Sequence, residues 1–210
     1  MGKENGRIEN NLGVDALNPA QIGRLGDMGA MLKRIFVMVL MVVSLSLNGC
    51  AIGVTGFKSF VDTLDGYQFL YPNGWLEVKV SDGPDVVFHD LIEPTENVSV
   101  VINPVTAEQT LQDLGDPTTV GYRLGKSAIA PPGSGREAEL VNAESREVGD
   151  KLYYQLEYLV KLSDNRERHN LASVAVSRGK LYTFNASTSE DRWERVHDAL
   201  ETAVKSFTVY

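Results

Sequence analysis

A histidine and two carboxylates in the C-terminal part of the chain have the residue types and spacing for metal chemistry. His169 begins one apolar run and the acids Glu190 and Asp191 follow the next, with Arg178 and Gly179 as turn residues between the runs. If the two runs pair as a hairpin, the histidine and the acids lie at the same end of the sheet. An imidazole nitrogen and a carboxylate oxygen suit zinc or manganese. His169 and Glu190, with Asp191 as a further ligand, are therefore candidates for a weak divalent-cation site. A plain hydrogen bond or ion pair is the alternative.

A lone cysteine is the second residue with a chemical signature. Cys50 is the only cysteine, so it has no disulfide partner within the chain. Two cations at 33–34 and an uncharged run at 35–47 precede it. This order is typical of a signal peptide that ends at a lipidation site, where the cysteine sulfur becomes a thioether to diacylglycerol. We predict a lipoprotein signal peptide at 31–49 and lipid on Cys50. An ordinary secretory signal with an incidental cysteine is the alternative.

The predicted signal peptide separates an N-terminal segment, residues 1–30, from the rest of the chain. Residues 1–30 mix charges and show no apolar periodicity, which indicates a mis-assigned start or a disordered extension. The apolar run at 35–47 is shorter than the roughly 20 residues of a membrane-spanning helix. We expect Cys50 and a tether over 50–63, followed by one domain over 64–210, a length that suits a single core.

Sets of residues for catalysis are missing from the sequence. Ser134 lies in a Pro/Gly loop at 132–135 without the strand and helix that flank a nucleophile elbow. No phosphate-binding loop and no cluster of cysteines and histidines with zinc-site spacing is present. The sequence therefore predicts a protein that is not an enzyme.

The net charge of the chain limits the classes of partner that it can bind. After Cys50 there are 15 Lys and Arg against 24 Asp and Glu, a formal net charge of −9. Such a domain is repelled by nucleic acid and by anionic lipid headgroups. Attachment to a membrane must therefore come from acyl chains, each buried CH₂ contributing roughly 0.8 kcal/mol.

The elements that must position these residues follow from periodicity and turn chemistry. In the first half, 66–71 and 75–80 alternate around a Pro-Asn-Gly turn and predict a hairpin, with further strands at 86–90 and 97–103. A helix is predicted to start near Pro117, followed by a loop at 130–136. In the second half, strands at 138–148, 152–162, 171–176 and 181–186 predict an antiparallel meander. A final helix, capped by Ser189 and reaching about Phe207, has an apolar stripe of Trp193, Val196, Leu200 and Val204.

Several stretches of this chain together resemble the PsbP family, in its cyanobacterial lipoprotein branch. They are 66–72 (GYQFLYP) with Trp75, 97–100 (NVSV), 115–117 (GDP), 151–154 (KLYY), 169–171 (HNL), 179–182 (GKLY), 192–193 (RW) and 206–207 (SF). The resemblance covers nearly all of the chain after Cys50. It implies an α+β fold, an α-β-α sandwich around a central antiparallel sheet.

The resemblance also implies a function. Proteins of this family assist or stabilise the manganese-calcium oxygen-evolving complex of photosystem II, while other subunits oxidise water. We therefore expect a lipid-anchored protein on the lumenal side of the thylakoid membrane, whose partners are lumenal subunits or assembly intermediates of photosystem II. The family implies a divalent-cation site at positions matching His169 and Glu190. The alternative function is thus a module that binds or delivers zinc, manganese or calcium, with no firmly held cofactor.

Overall fold

The computed structural model describes residues 33–38, 55–81 and 83–210. The predicted extension at 1–30, most of the signal peptide, Cys50 and the first residues of the tether lie outside this range. The chain divides into two compact units, Met1–Ile52 and Gly53–Tyr210. In the first unit, the described residues 33–38 are helical and exposed. Among the described residues no helix has the length and apolar content needed to cross a membrane.

The second unit contains two antiparallel sheets. The small sheet has the order β1-β2-β10 and the large sheet has the order β3-β4-β5-β9-β8-β7-β6. The strands are β1 (Phe57–Asp62), β2 (Tyr67–Pro72), β3 (Leu76–Val78), β4 (Val86–His89), β5 (Asn97–Pro104), β6 (Glu137–Val148), β7 (Lys151–Lys161), β8 (Glu167–Ser177), β9 (Lys180–Ser189) and β10 (Thr208–Val209).

The predicted meander forms four neighbouring strands of the large sheet, β6 to β9. Its tight turns contain residues with positive φ: Gly149 at 63°, Asn165 at 64°, and Arg178 and Gly179 at 50° and 70°. Glycine and asparagine adopt this conformation at low cost, so the turns form where the sequence predicts them. Strand β8 begins at Glu167, four residues before its predicted start, because the polar residues at its beginning also pair with β7 and β9.

The predicted hairpin between 66–71 and 75–80 is wrong. Strand β2 pairs with β1 on one side and β10 on the other, whereas β3 pairs with β4 in the large sheet. The turn at 72–74, with Gly74 at a φ of 89°, therefore carries the chain from one sheet to the other. Strand β1 begins at Phe57, inside the range 50–63 that was expected to be a tether. The expected tether is therefore shorter than 50–63.

Two α-helices flank the large sheet. Helix α1 (Pro117–Leu124) starts where predicted, and the Asp116 carboxylate caps it by accepting from the Thr119 backbone N–H. Helix α2 (Trp193–Ser206) follows a 3₁₀ turn at Glu190–Arg192. The prediction that Ser189 caps α2 is wrong, because Ser189 is the last residue of β9 and its side chain makes no capping hydrogen bond.

The core has two parts, one on each face of the large sheet. One part joins the sheet to β2 and α2 and contains Phe69, Phe184 and Leu200; the other packs against α1 and contains Val120 and Tyr158. Alternate side chains of a strand point to opposite faces, so neighbouring residues of β7 supply both parts. This layering confirms the predicted α-β-α sandwich around an antiparallel sheet. The small sheet adds to the layer that contains α2.

Candidate functional site

The predicted site lies at the end of β8 and β9 that is remote from their shared turn. His169 is the third residue of β8 and pairs with Thr188 of β9 and Leu159 of β7. Its side chain is only 8% exposed, on the face that packs against α2. Glu190 follows β9 directly and begins the 3₁₀ turn before α2. The hairpin therefore brings His169 and Glu190 together, as the spacing of the two runs predicts.

Both ring nitrogens of His169 contact carboxylates. Nδ1 lies 2.8 Å from Oε2 of Glu190, and Nε2 lies 2.7 Å from Oε1 of Glu157. An ionised carboxylate only accepts hydrogen bonds, so this arrangement suits an imidazole ring that donates from both nitrogens. The two contacts fix the ring in position.

Glu157 is the member of the site that the sequence analysis missed. It lies on β7 opposite Leu171, one diagonal step from His169 on the same face of the sheet. Diagonal neighbours on adjacent strands are within reach of long side chains. The signal that could have found it is the register of the β7–β8 turn, which sets Glu157 near the end of β8 that carries His169.

An aromatic side chain covers the histidine. Trp193, the first residue of α2, stacks on His169 with ring centroids 3.6 Å apart and planes inclined by 6°. His197, one turn later on α2, meets the indole edge-on at 4.6 Å. His197 is partly buried. The 3₁₀ turn thus delivers Glu190 to one edge of the imidazole and Trp193 to its flat face.

Asp191 does not join this site. Its side chain is exposed and, within the described residues, makes no hydrogen bond or ion pair with His169. The next residue, Arg192, points elsewhere and binds the buried carboxylate of Glu96 in the loop before β5. This hydrogen bond raises the pKa of Arg192 above its ordinary value. The structure therefore supports Glu190 but not Asp191 as a partner of His169.

The geometry limits what the site can hold. Glu157 and Glu190 lie on opposite edges of the imidazole, so the three side chains do not converge on one point. A cation beside His169 would be bound by one ring nitrogen and one carboxylate, and it would replace a hydrogen bond. The other carboxylate would then orient the ring through its second nitrogen, as in the carboxylate–histidine pairs of metal sites.

Three other acids lie close together at the small sheet. Asp62, Asp65 and Asp85 each place an oxygen within 4.8 Å of the others. Lys180 forms an ion pair with Asp65, and the Tyr67 hydroxyl donates to Asp85. Burial, reinforced by that hydrogen bond, raises the pKa of Tyr67, and the hydrogen bond to Asp65 raises the pKa of Lys180. The ammonium of Lys180 therefore offsets part of the negative charge of this cluster.

Comparison with known proteins places the chain among relatives of the same fold. Residues 55–209 match the PsbP family. CyanoP of Thermosynechococcus vestitus is 50% identical over 86% of this chain and all of its own length, and CyanoP of Synechocystis is 48% identical over 85% of this chain and 97% of its own. PsbP-like protein 1 of Arabidopsis thaliana is 41% identical over 73% of this chain and 65% of its own.

A solved structure gives the same result. The solution structure of cyanobacterial PsbP (CyanoP) from Synechocystis superposes with a TM-score of 0.65 at 50% identity, covering 79% of this chain and 99% of that one. The family match spans both sheets and both helices, including the strands that hold His169. The chain therefore belongs to the PsbP family of photosystem II accessory proteins.

Proposed function

We propose that this protein is a non-catalytic lumenal lipoprotein that assists assembly or stabilisation of the oxygen-evolving complex of photosystem II. The observation that carries the proposal is the order of the chain. A lipidation motif ending at Cys50 is followed within a few residues by a PsbP domain over 55–209. The motif supports attachment to a membrane, and the domain supports association with photosystem II.

The length of the tether supports a role close to the membrane surface. Residues 51–56 separate Cys50 from strand β1. An extended chain reaches at most about 3.5 Å per residue, so six residues span about 20 Å. The formal charge of −9 after Cys50 opposes binding to anionic lipid, which leaves the acyl chains as the anchor. The domain would therefore meet partners that lie near the lumenal face of the membrane.

Affinity isolation tests this proposal. The full chain would carry a C-terminal tag behind a flexible linker, because β10 ends one residue before the C-terminus. Photosystem II polypeptides should be recovered from mildly solubilised thylakoid membranes with the tagged protein. The Cys50→Ser chain is the matched control and should recover less of them, since it lacks the anchor. Recovery of no photosystem II polypeptide with the unaltered chain would overturn the proposal.

A second function, binding or delivery of a divalent cation, is favoured by the position of His169. Its Nδ1 faces Glu190 at 2.8 Å, and Glu157 occupies Nε2 from the other side. We propose His169 and Glu190 as the ligands for zinc, manganese or calcium, with Glu157 orienting the ring. Two protein ligands leave the rest of the coordination shell to water, so the affinity would be low.

The two functions predict different losses for His169→Ala. If the variant loses zinc binding in calorimetry but still recovers photosystem II polypeptides, cation binding is separate from docking. If it binds zinc as tightly as the unaltered chain, the cation function is overturned. If it loses both zinc and photosystem II with its fold intact by circular dichroism, cation binding is part of docking.

A further inference from the structure

A cavity with a cationic wall lies on the face of the large sheet opposite α2. Its volume is about 480 Å³, and it opens between the ends of β8 and β9, the loop before β5 and the segment that follows α1. Volumes of a few hundred Å³ are typical of small-molecule sites. Its polar lining includes Arg136, Arg168, Asn170, Asn185 and Ser187.

Arg168 crosses one wall of this cavity and binds only neutral groups. Its Nε donates to Oγ of Ser187 at 3.1 Å, and its Nη2 donates to the backbone oxygen of Thr95 at 2.6 Å. In the described part of the chain, Nη1 makes no hydrogen bond, and Arg168 forms no ion pair with a carboxylate. A partly buried guanidinium without a counter-ion is unusual, because buried charges in proteins are normally paired.

A second cation increases the positive potential of the cavity. Arg136 also lines it, is exposed, and forms no ion pair within the residues that the structure covers. Burial, and after it the positive charges of Arg136 and Arg166, lower the pKa of Arg168, while Glu93 acts in the opposite sense. Among the described residues, Glu93 lies within ion-pair distance of neither Arg136 nor Arg168. The site is therefore locally cationic in a chain whose formal net charge is −8.

The neighbouring amides leave a donor free. Asn170 donates through Nδ2 to Oδ1 of Asn185 at 3.2 Å, and Ser187 donates to Oδ1 of Asn170 at 3.3 Å. These contacts occupy the oxygens of both asparagines. The Nδ2 group of Asn185 has no acceptor among the described residues. Together with Nη1 of Arg168 and the guanidinium of Arg136, it offers hydrogen-bond donors to a ligand.

We propose that this cavity binds the carboxylate group of a small ligand with an aliphatic part. Carboxylate oxygens accept from guanidinium and amide donors, and Arg–carboxylate contacts are among the stronger hydrogen bonds in proteins. Ile129, Val160 and Leu162 form an apolar wall beside these donors. That wall favours an organic carboxylate over a hydrated inorganic anion. The carboxylate can belong to a free fatty or branched-chain acid, or to the C-terminal residue of a peptide.

Titration of the purified full chain with butyrate and with butyramide tests the proposal. The two ligands share shape and an aliphatic part, but only butyrate carries a charge. Side-chain ¹⁵N resonances of Arg168 and Asn185 should shift in a saturable manner with butyrate and not with butyramide. A short peptide ending in leucine, with a free or an amidated C-terminus, distinguishes the two sources: tighter binding of the free form than of butyrate indicates a peptide.

Three variants make the test specific. Arg136→Gln should weaken butyrate binding about tenfold, equivalent to about 1.4 kcal/mol, without affecting the fold, because it removes one charged hydrogen-bond donor at an exposed position. Arg168→Gln should weaken it at least as much. Arg166→Gln removes the same charge two residues away, where the arginine pairs with Asp164 and does not line the cavity, and should weaken binding much less than Arg136→Gln. Equal shifts with butyramide, or equal losses in Arg166→Gln and Arg136→Gln, would overturn the proposal.

Discussion

The imidazole of His169 lies flat against the indole of Trp193, with ring centroids 3.6 Å apart and planes inclined by 6°. Each ring belongs to a different layer, since His169 is part of the sheet and Trp193 begins α2. The contact therefore ties the end of the sheet to the start of the helix. It also covers one face of the imidazole.

Replacement of Trp193 should destabilise the domain. Trp193→Leu removes the stack on His169 and the edge contact with His197. We expect a decrease of about 2 to 3 kcal/mol in the free energy of unfolding, below the usual cost for a buried tryptophan because Trp193 is only partly buried. Trp193→Phe keeps an aromatic ring and should cost less. Urea denaturation measures both; equal losses would show that stacking adds nothing to the burial of the side chain.

Removal of the Glu157 carboxylate should weaken any cation bound at His169. Glu157→Gln leaves a poorer acceptor for Nε2, so we expect about a tenfold loss of zinc affinity, in the range that orienting carboxylates contribute elsewhere. His169→Ala should abolish binding. Isothermal titration with zinc provides the measurement, and His197→Ala serves as the control. A loss in the control as large as in His169→Ala would place the zinc at His197 instead.

The cap of α1 should make part of the stability depend on pH. The backbone N–H and then the hydroxyl of Thr119 lower the pKa of Asp116 below its ordinary value of 3.8. A lowered pKa in the folded state means that the stabilisation is present above pH 3.8 and is lost as the pH falls through the lower folded value. Asp116→Asn keeps the cap without titrating. Its urea midpoint should therefore fall less between neutral and acidic pH than that of the unaltered chain, and an equal fall would contradict this account.

Lipid attachment at Cys50 is a separate prediction. Cells that express the chain should incorporate labelled fatty acid into it, and the Cys50→Ser chain should incorporate none, because the thioether requires the cysteine sulfur. Gel autoradiography of the immunoprecipitated proteins gives the answer. Equal label in both chains would exclude Cys50 as the anchor.

The parts of the fold that could be predicted are those governed by local pattern. Strands β6 to β9 alternate and are joined by short turns, and the apolar spacing of Leu200 and Val204 defines α2. The pairing of β2 could not be predicted in this way. Its partners β1 and β10 are separated by almost the whole domain, and the adjacent Pro-Asn-Gly turn favours a local hairpin. Alternation shows that a segment is a strand, not which strand it joins.

The same difference between local pattern and long-range pairing explains which residues of the candidate site could be predicted. His169 and Glu190 are joined by one tight hairpin, so their proximity follows from topology alone. Glu157 depends on the register between β7 and β8, which a turn of uncertain length leaves open by a residue or more. Asp191 does not contact His169 for a different reason. A 3₁₀ turn rotates successive side chains by about 120°, so the side chain that follows Glu190 points away from the histidine.

Strand β10 is the last element of the domain in chain order, and it affects when the domain can fold. Thr208 and Val209 complete the small sheet against β2, and the Val209 N–H donates to the hydroxyl of Tyr153. The residues that close the core therefore follow the other strands and helices of the domain in chain order. If the predicted signal peptide directs export, we expect the domain to complete its fold only after β10 has crossed the membrane. A chain that ends before Thr208 would then stay open to proteases of the destination compartment.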